Sequence, residues 1–342
     1  MNIAPDHGRT YAQLRQFLEV PRRVAIVTHY NPDGDAIGSS LGLMHLLRGM
    51  GHDVQVVLPN SAPSFLNWLP GLSDAVPFDK RPEHAKELLG RAELLCCLDF
   101  NRMDRVGQLQ EALSNLNVQR VLIDHHQDPD PAFTLAISDT GSCATCQLVA
   151  DMVGPMGWGA ALDKQVATCL YTGLVTDSGS FRFRSTSPHT MRVAAALMDQ
   201  GVEIERVHQA ISDDNSVERL RLLGLLLAER MTVLQEEGVV MLMLSKEDLE
   251  RHGHRPGDTE GFVNYGLSIR GIRLSAFFVE RHDHVKLSLR SKGTFAVDRF
   301  LRDHFDGGGH ANAAGGQFKG GLDAAVARFK ELLPELLAQR PV

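Results

Sequence analysis

The chain has 342 residues and a formal net charge of −7, with 43% hydrophobic and 23% charged residues. At roughly 150 residues per domain this length predicts two domains, each with enough apolar residues for its own core. The acidic balance argues against a protein that grips long nucleic acid through many phosphates, yet leaves room for small phosphorylated substrates held by a few focused groups.

No membrane span is expected. A span needs ~18 apolar residues, and "LRLLGLLLAERM" is short and broken by Arg and Glu. The opening "MNIAPDHGRTYAQLRQ" has no basic segment followed by an apolar one, so no signal peptide is expected. Five cysteines, an odd number, argue against a disulfide framework and suit a reducing cytoplasm.

From about residue 23 to 125, apolar runs alternate with helical patterns. "RVAIVTH" predicts a strand, "AIGSSLGLMHLLRGMG" a helix closed by Gly51, and "HDVQVVLP" a strand ended by Pro59. "ELLCCLDF" and "VQRVLIDHH" are further buried strands. Such alternation implies an α/β fold with a parallel sheet covered on both faces. Periodic helices follow in "TCQLVADMVG", "LDKQVATCLYTGLVTD", "PHTMRVAAALMDQG" and "SVERLRLLGLLLAERM". Near residue 231 the character changes: "TVLQEEGVVMLMLS" and "IRLSAFFVERHDHVKLSLRS" predict hairpins, and a glycine cluster and a final helix close the chain. The expected domains are 1–211 and 232–342, joined by a linker helix at 212–231.

Three first-half strands run into side chains that bind metals. "VAIVTH" ends at His29, "LLCCLD" at Asp99, and "VLID" runs into His125 and His126. Sites in open parallel sheets form at the carboxyl ends of strands, which brings these residues together. Asp33 and Asp35 lie just past the first strand, and Asp177 ends the apolar helix "LYTGLVTD". One such aspartate alone reads as a helix cap or turn former; the joint pattern does not. Four carboxylates and two imidazoles suit two divalent cations, without which the cluster would repel itself. The mixed donors favour Mn²⁺, with Fe, Co or Zn as alternatives. Such a pair suits displacement at phosphorus.

"THYNPDGDAIGSS" and "IDHH" resemble motifs I and III of the DHH phosphoesterase superfamily, "CLDFNRMDR" its second and "GLVTDSGSFRF" its fourth. "FDGGGHANAAGG" resembles the GGGH motif of the DHHA1 domain. Length and domain pairing are most similar to NrnA-like oligoribonucleases (nanoRNases) with pAp phosphatase activity. The resemblance implies a parallel-sheet DHH domain with flanking helices and a smaller α/β DHHA1 domain, the active site lying in the cleft between them. It implies that His29, Asp33 and Asp99 hold one metal and Asp35, Asp99, His125 and Asp177 the other, with Asp99 bridging. Asp99, His125, His126 and Asp124 would be catalytic, His126 facing phosphate or supporting the ligands and Asp124 orienting the loop. Arg105 matches a basic position of the second motif, with a structural salt bridge as its alternative.

In the second domain, Gly308, Gly309 and His310 of "GGGHANAAGG" offer unobstructed backbone N–H groups to a phosphate. Arg290 and Ser291 of "SLRSK" end a strand, and Arg suits bidentate phosphate contact. The family places both segments at the substrate. Cys143 and Cys146 lack a second pair to complete a zinc site, and His282 and His284 read as solvated turn residues.

The expected enzyme is a metal-dependent phosphodiesterase and phosphatase, cytoplasmic, hydrolysing short RNA or DNA oligonucleotides to mononucleotides and pAp to AMP. Long nucleic acid and membranes are not expected partners; a homodimer is compatible with the sequence. Alternatives are an enzyme acting on pGpG or pApA in a cyclic-dinucleotide pathway, a polyphosphatase, and a non-catalytic nucleotide-binding DHH protein. The last should have lost ligands, and all six are present.

Overall fold

Residues 7–133, 135–213, 215–255, 257–293 and 295–338 are described in the structure, a computed structural model; the side chain of His310 lies outside that description. The chain divides into two units, 1–214 and 215–342.

The first unit runs α1 (Gly8–Phe17), β1 (Arg23–Val27), α2 (Gly34–Gly49), β2 (Asp53–Leu58), β3 (Val76–Pro77), α3 (Pro82–Arg91), β4 (Leu94–Leu98), α4 (Leu109–Ser114), β5 (Gln119–Asp124), β6 (Leu135–Ser138), α5 (Thr145–Met156), α6 (Lys164–Asp177), α7 (Pro188–Met198) and α8 (Ile204–His208). Its six strands lie in the order β3-β2-β1-β4-β5-β6, and every pairing is parallel. Both faces are covered, so β4 is apolar from end to end, and β1 and β5 are buried over Val24–Val27 and Val121–Asp124. Val24, Ile26, Cys96 and Leu98 join a core with α2, α5 and α6, while Ala25, Val27, Leu95 and Cys97 join one with α3 and α4. β1 and β5 stop at Val27 and Asp124, short of the histidines, which lie on the loops beyond. β3 and β6 are too short for the apolar-run criterion to find.

β1 pairs with β2 on one side and β4 on the other. The chain builds outward to β3 before returning, so the loops leaving β1 and β4 diverge. A crevice at this switch in strand order is where open α/β sheets hold ligands.

α2 and α6 meet along a seam of glycines. Gly34, Gly38 and Gly42 recur every four residues, which puts them on one helix face. A Cβ on Gly38 would stand 2.5 Å from the Cys169 carbonyl oxygen, and one on Gly42 2.5 Å from Leu170 Cδ2. On α6, a Cβ on Gly173 would stand 2.2 Å from Cys146 Sγ and 3.0 Å from Asp35 Oδ1. The near contact of the two backbones, running antiparallel, puts Asp35 of α2 beside Asp177 of α6.

The second unit runs α9 (Val217–Glu229), β7 (Met231–Leu234), β8 (Val239–Leu244), α10 (Lys246–Arg251), α11 (Phe262–Gly266), β9 (Leu274–Glu280), β10 (Val285–Ser291), α12 (Val297–His304), β11 (Gly308–His310), β12 (Ala313–Phe318) and α13 (Leu322–Leu337). Both expected hairpins form, as β7–β8 and β9–β10. The sheet order is β11-β12-β10-β9-β8-β7, with β8 and β9 parallel. α12 and α13 cover one face with Phe300, Leu301 and Phe329; α9, α10 and α11 cover the other with Leu222, Leu249 and Phe262.

The glycine cluster is a hairpin rather than a loop, with β11 pairing β12. Its glycines serve packing: a Cβ on Gly307 would stand 2.2 Å from Gly315 O, on Gly309 2.6 Å from Ala313 O, and on Gly316 2.8 Å from Phe305 O. Gly308 faces open space.

Candidate metal centre

The ends of five elements of the first unit, β1, α2, β4, β5 and α6, converge. Asp33 is the N-cap of α2, its side chain accepting from the N–H groups of Asp35 and Ala36. His29 Nε2 lies 3.4 Å from Asp99 Oδ2 and 4.0 Å from Asp33 Oδ1. His125 Nε2 lies 3.5 Å from Asp99 Oδ1, 3.5 Å from Asp177 Oδ2 and 3.8 Å from Asp35 Oδ2. Three trios thus have donor atoms within 4.8 Å of one another: His29, Asp33 and Asp99; Asp35, His125 and Asp177; Asp99, His125 and His126. All six residues expected as ligands are brought together.

The imidazole orientations supply a test of what belongs there. His29 Nδ1 lies 2.9 Å from Tyr30 O and His125 Nδ1 3.3 Å from Ser142 O. A backbone carbonyl only accepts, so each Nδ1 carries a proton, and in the neutral ring Nε2 presents a lone pair. Both lone pairs then face carboxylate oxygens that are themselves electron-rich. Such an arrangement fits divalent cations between them.

The titration tendencies agree. Burial, then Asp35, Asp33, Asp177 and Asp124, push the Asp99 carboxyl well above its ordinary value. Burial also raises Asp35, against the opposing pull of His125. His125 is held above its ordinary value because Asp177, Asp35 and Asp124 outweigh burial. His126 is held well below by burial, His125 and Arg105. Asp99 also adopts a left-handed backbone, φ +62°, a conformation Asp tolerates better than most residues and one that clusters at functional sites.

Asp124 is fully buried. Its two carboxylate oxygens accept the His126 Nδ1–H at 2.7 Å and the His126 N–H at 3.1 Å, which fixes the ring. Asp177 ends α6, after which Gly179, Ser180 and Phe181 all take positive φ. The Ser178 hydroxyl pins that turn by accepting the Phe181 N–H at 2.8 Å.

Two contributors carry no ligand signal in the sequence. Thr145 and Cys146 open α5, whose N-cap, Ala144, makes no side-chain cap bond. Asp35 caps this helix from elsewhere in the chain: its oxygens accept the Thr145 N–H at 2.6 Å and the Cys146 N–H at 2.9 Å. The Thr145 hydroxyl donates to Asp99 Oδ1 at 3.0 Å. A helix start without a capping residue was the available clue. Tyr30 is the second contributor, 51% exposed beside His29, with its N–H bonded to Arg105 O at 2.7 Å.

The remaining candidates lie apart from these ligands in the chain. Arg105 is half-buried near His126. In the second unit, Arg290 is half-buried on β10, its Nη1 donating to Leu289 O at 3.0 Å. Ser291 is buried, its hydroxyl donating to Phe295 O and accepting from Asn312, both at 2.8 Å. Cys143 and Cys146 are buried and join no donor trio among the described residues; burial pushes the Cys143 thiol up to about 11.

Residues 23–174 match the N-terminal domain of the DHH family and residues 236–339 match the DHHA1 domain. The chain is 32% identical to a bifunctional oligoribonuclease and PAP phosphatase of Thermus thermophilus, over 97% of this chain and 94% of that one. It is 26% identical to the Bacillus subtilis protein of the same name, over 84% and 86%. Among solved structures, an exopolyphosphatase-related protein from Bacteroides fragilis superposes with a TM-score of 0.93 at 34% identity, covering 99% of this chain and all of that one.

Proposed function

The chain belongs to the DHH family, its residues 236–339 matching the DHHA1 domain, and from that membership we propose that it is a metal-dependent phosphoesterase. Its substrates are oligonucleotides of about two to five residues, cleaved to mononucleotides, and pAp, converted to AMP. The observation that carries this reading is the pair of donor trios sharing one crevice, with His125 Nε2 3.5 Å from Asp99 Oδ1.

His29, Asp33 and Asp99 would hold one cation, and Asp35, His125, Asp177 and Asp99 the other. Oxygen and imidazole donors together favour Mn²⁺. Bound there, two such ions supply a hydroxide nucleophile at neutral pH and neutralise the phosphoryl oxygens. Asp124 holds the His126 ring, and Arg105 adds positive charge beside it. Arg290 and the N–H groups at Gly308 and His310 are proposed to orient the substrate. Gly308 suits close approach because nothing lies within 4 Å of where its Cβ would be. Ser291 contributes by fixing the end of β10.

An acidic chain accumulates little affinity along a long strand. No helix among the described residues is long and apolar enough to cross a membrane, and five buried free cysteines suit a reducing cytoplasm. One panel tests the reading: oligonucleotides from two to about 24 residues, pAp, pGpG, pApA and polyphosphate, each with Mn²⁺ and Mg²⁺. The rate per terminus should peak at about two to five nucleotides. A rate climbing steadily with length would overturn it in favour of a processive exonuclease.

A further inference from the structure

The turn that follows Asp177 is pinned more firmly than a surface connection requires, and it exposes an aromatic ring between two arginines. Gly179, Ser180 and Phe181 take φ of +58°, +58° and +62° in succession. Such a run costs the non-glycine residues and persists where the surroundings over-determine it. Ser178, fully buried, supplies that constraint. Its carbonyl oxygen accepts the Arg182 and Phe183 N–H groups at 3.0 and 2.9 Å, and the Ser180 N–H donates back to Val175 O of α6 at 2.8 Å. The Phe181 ring packs toward Tyr171 of α6, with centroids 6.1 Å apart. Farther along, Ser185 Oγ lies 3.8 Å from Cys143 Sγ, in the segment that leads from β6 to α5. Both ends of the turn are therefore tied to elements that carry or position metal ligands.

Phe183 takes no part in the core. It is 43% exposed, and the far edge of its ring rests on Gly179, where a Cβ would stand 2.5 Å from Phe183 Cζ. One exposed phenylalanine alone needs no explanation. This one is seated on a strained turn just past a ligand, with an exposed arginine on each side. The Arg182 Nε–H donates to Gly179 O at 2.7 Å, and among the described residues neither Arg182 nor Arg184 forms an ion pair. Residues 178–187 contain no Asp or Glu. The nearest acid along the chain, Asp177, is itself assigned to a cation.

We propose that Phe183 and Arg184 bind one of the two nucleotides that flank the scissile phosphate, the base stacking on the ring and the arginine meeting that nucleotide's terminal phosphate. The site rests on the phosphoesterase reading above and deepens it. Tyr30 follows His29 of one donor trio, and Phe183 follows Asp177 of another. Each set of ligands thus has an exposed ring in its adjoining loop, and a dinucleotide carries one base on each side of its phosphate. Stacking tolerates any base, which suits cleavage of short strands regardless of sequence.

Calorimetry of the Mn²⁺-loaded protein tests this with a non-hydrolysable dinucleotide and with its two forms in which one or the other nucleoside is abasic. Phe183→Ala should weaken the intact dinucleotide about 10-fold, the loss of one stacked base at about 1.4 kcal/mol. It should weaken one of the abasic forms no further, and Phe183→Trp should restore binding. Arg184→Gln should weaken a dinucleotide phosphorylated at one terminus about 10-fold more than the same dinucleotide without that phosphate. Both positions are exposed, so the variants should fold. Equal weakening of the intact and both abasic forms by Phe183→Ala, or none, would overturn the base site, and unchanged discrimination in Arg184→Gln would overturn the phosphate contact. A wild type that shows the expected binding pattern yet hydrolyses no natural dinucleotide would sink the phosphoesterase reading and leave this site standing. A wild type that binds no dinucleotide would overturn both.

Discussion

The Thr145 hydroxyl donates to Asp99 Oδ1 at 3.0 Å while the Thr145 N–H donates to Asp35 Oδ2 at 2.6 Å. One residue at the start of α5 therefore positions carboxylates delivered by β4 and by α2. Thr145→Val keeps the shape and removes the hydroxyl. It should lower metal affinity about 10- to 100-fold, the usual cost of losing a group that orients a ligand, with secondary structure unchanged and Thr145→Ser restoring most of the loss. Metal titration and circular dichroism decide it; wild-type affinity in the valine variant would remove this role.

Asp99→Asn should abolish turnover and metal binding while raising the stability of the metal-free protein. Asn tolerates the left-handed backbone at this position. The sign follows from the raised carboxyl. A folded-state value above the unfolded one favours folding when the group is protonated, below about pH 4, and that contribution is lost as pH rises through the raised value. In chelator, the melting temperature of the wild type should therefore drop relative to Asp99→Asn as pH rises, and the two should converge in acid. Equal melting curves at all pH values would contradict the self-repelling cluster.

Gly38→Ala should destabilise, against the helix propensity gain of about 1 kcal/mol. The new methyl would stand 2.5 Å from the Cys169 carbonyl oxygen, which is backbone and cannot swing aside. A net loss of about 2 kcal/mol is expected, with metal affinity falling as α2 and α6 separate. Gly90→Ala, in open space on α3, is the control and should be neutral or stabilising under denaturant.

How much of this could be read from the residues differs by kind. Strand ends were legible for Asp99 and His125, because apolar runs stop at or just before them and parallel sheets place such ends together, and Asp177 was legible as the end of an apolar helix. The Thr145 hydrogen bonds were not, since they depend on which helix start docks against Asp35. The glycine hairpin was also missed: Gly307, Gly309 and Gly316 suggest a loop by composition, yet they are small because strands and α12 crowd them. β-branched and aromatic signals, the usual mark of a strand, have no room there.

Arg290→Ala and His310→Ala should keep metal binding while cutting kcat/KM for dinucleotides about 100-fold, about 2.7 kcal/mol. A small activated ester, which needs little positioning, should be affected much less. Equal losses on both substrates, or none, would remove the second unit from substrate orientation.

Tyr30→Ala should raise KM for dinucleotides about 10-fold, since a base stacked on an aromatic ring gains about 1–3 kcal/mol. Tyr30→Phe should retain wild-type values, and the small ester should show no change. The half-exposed ring beside His29 motivates this. An identical effect on the ester would point to the backbone of the His29 loop instead.

The cap that Asp35 places on α5 joins residues 110 and 111 positions apart. Contacts of that span close late, after the entropy of the intervening loop has been lost. The order of assembly follows: the ligands near the chain's beginning cannot acquire their geometry until α5, and then α6, have docked. Added cations should accordingly leave the refolding rate nearly untouched and act on the opposite limb, slowing unfolding, because they grip an arrangement that the transition state does not yet contain.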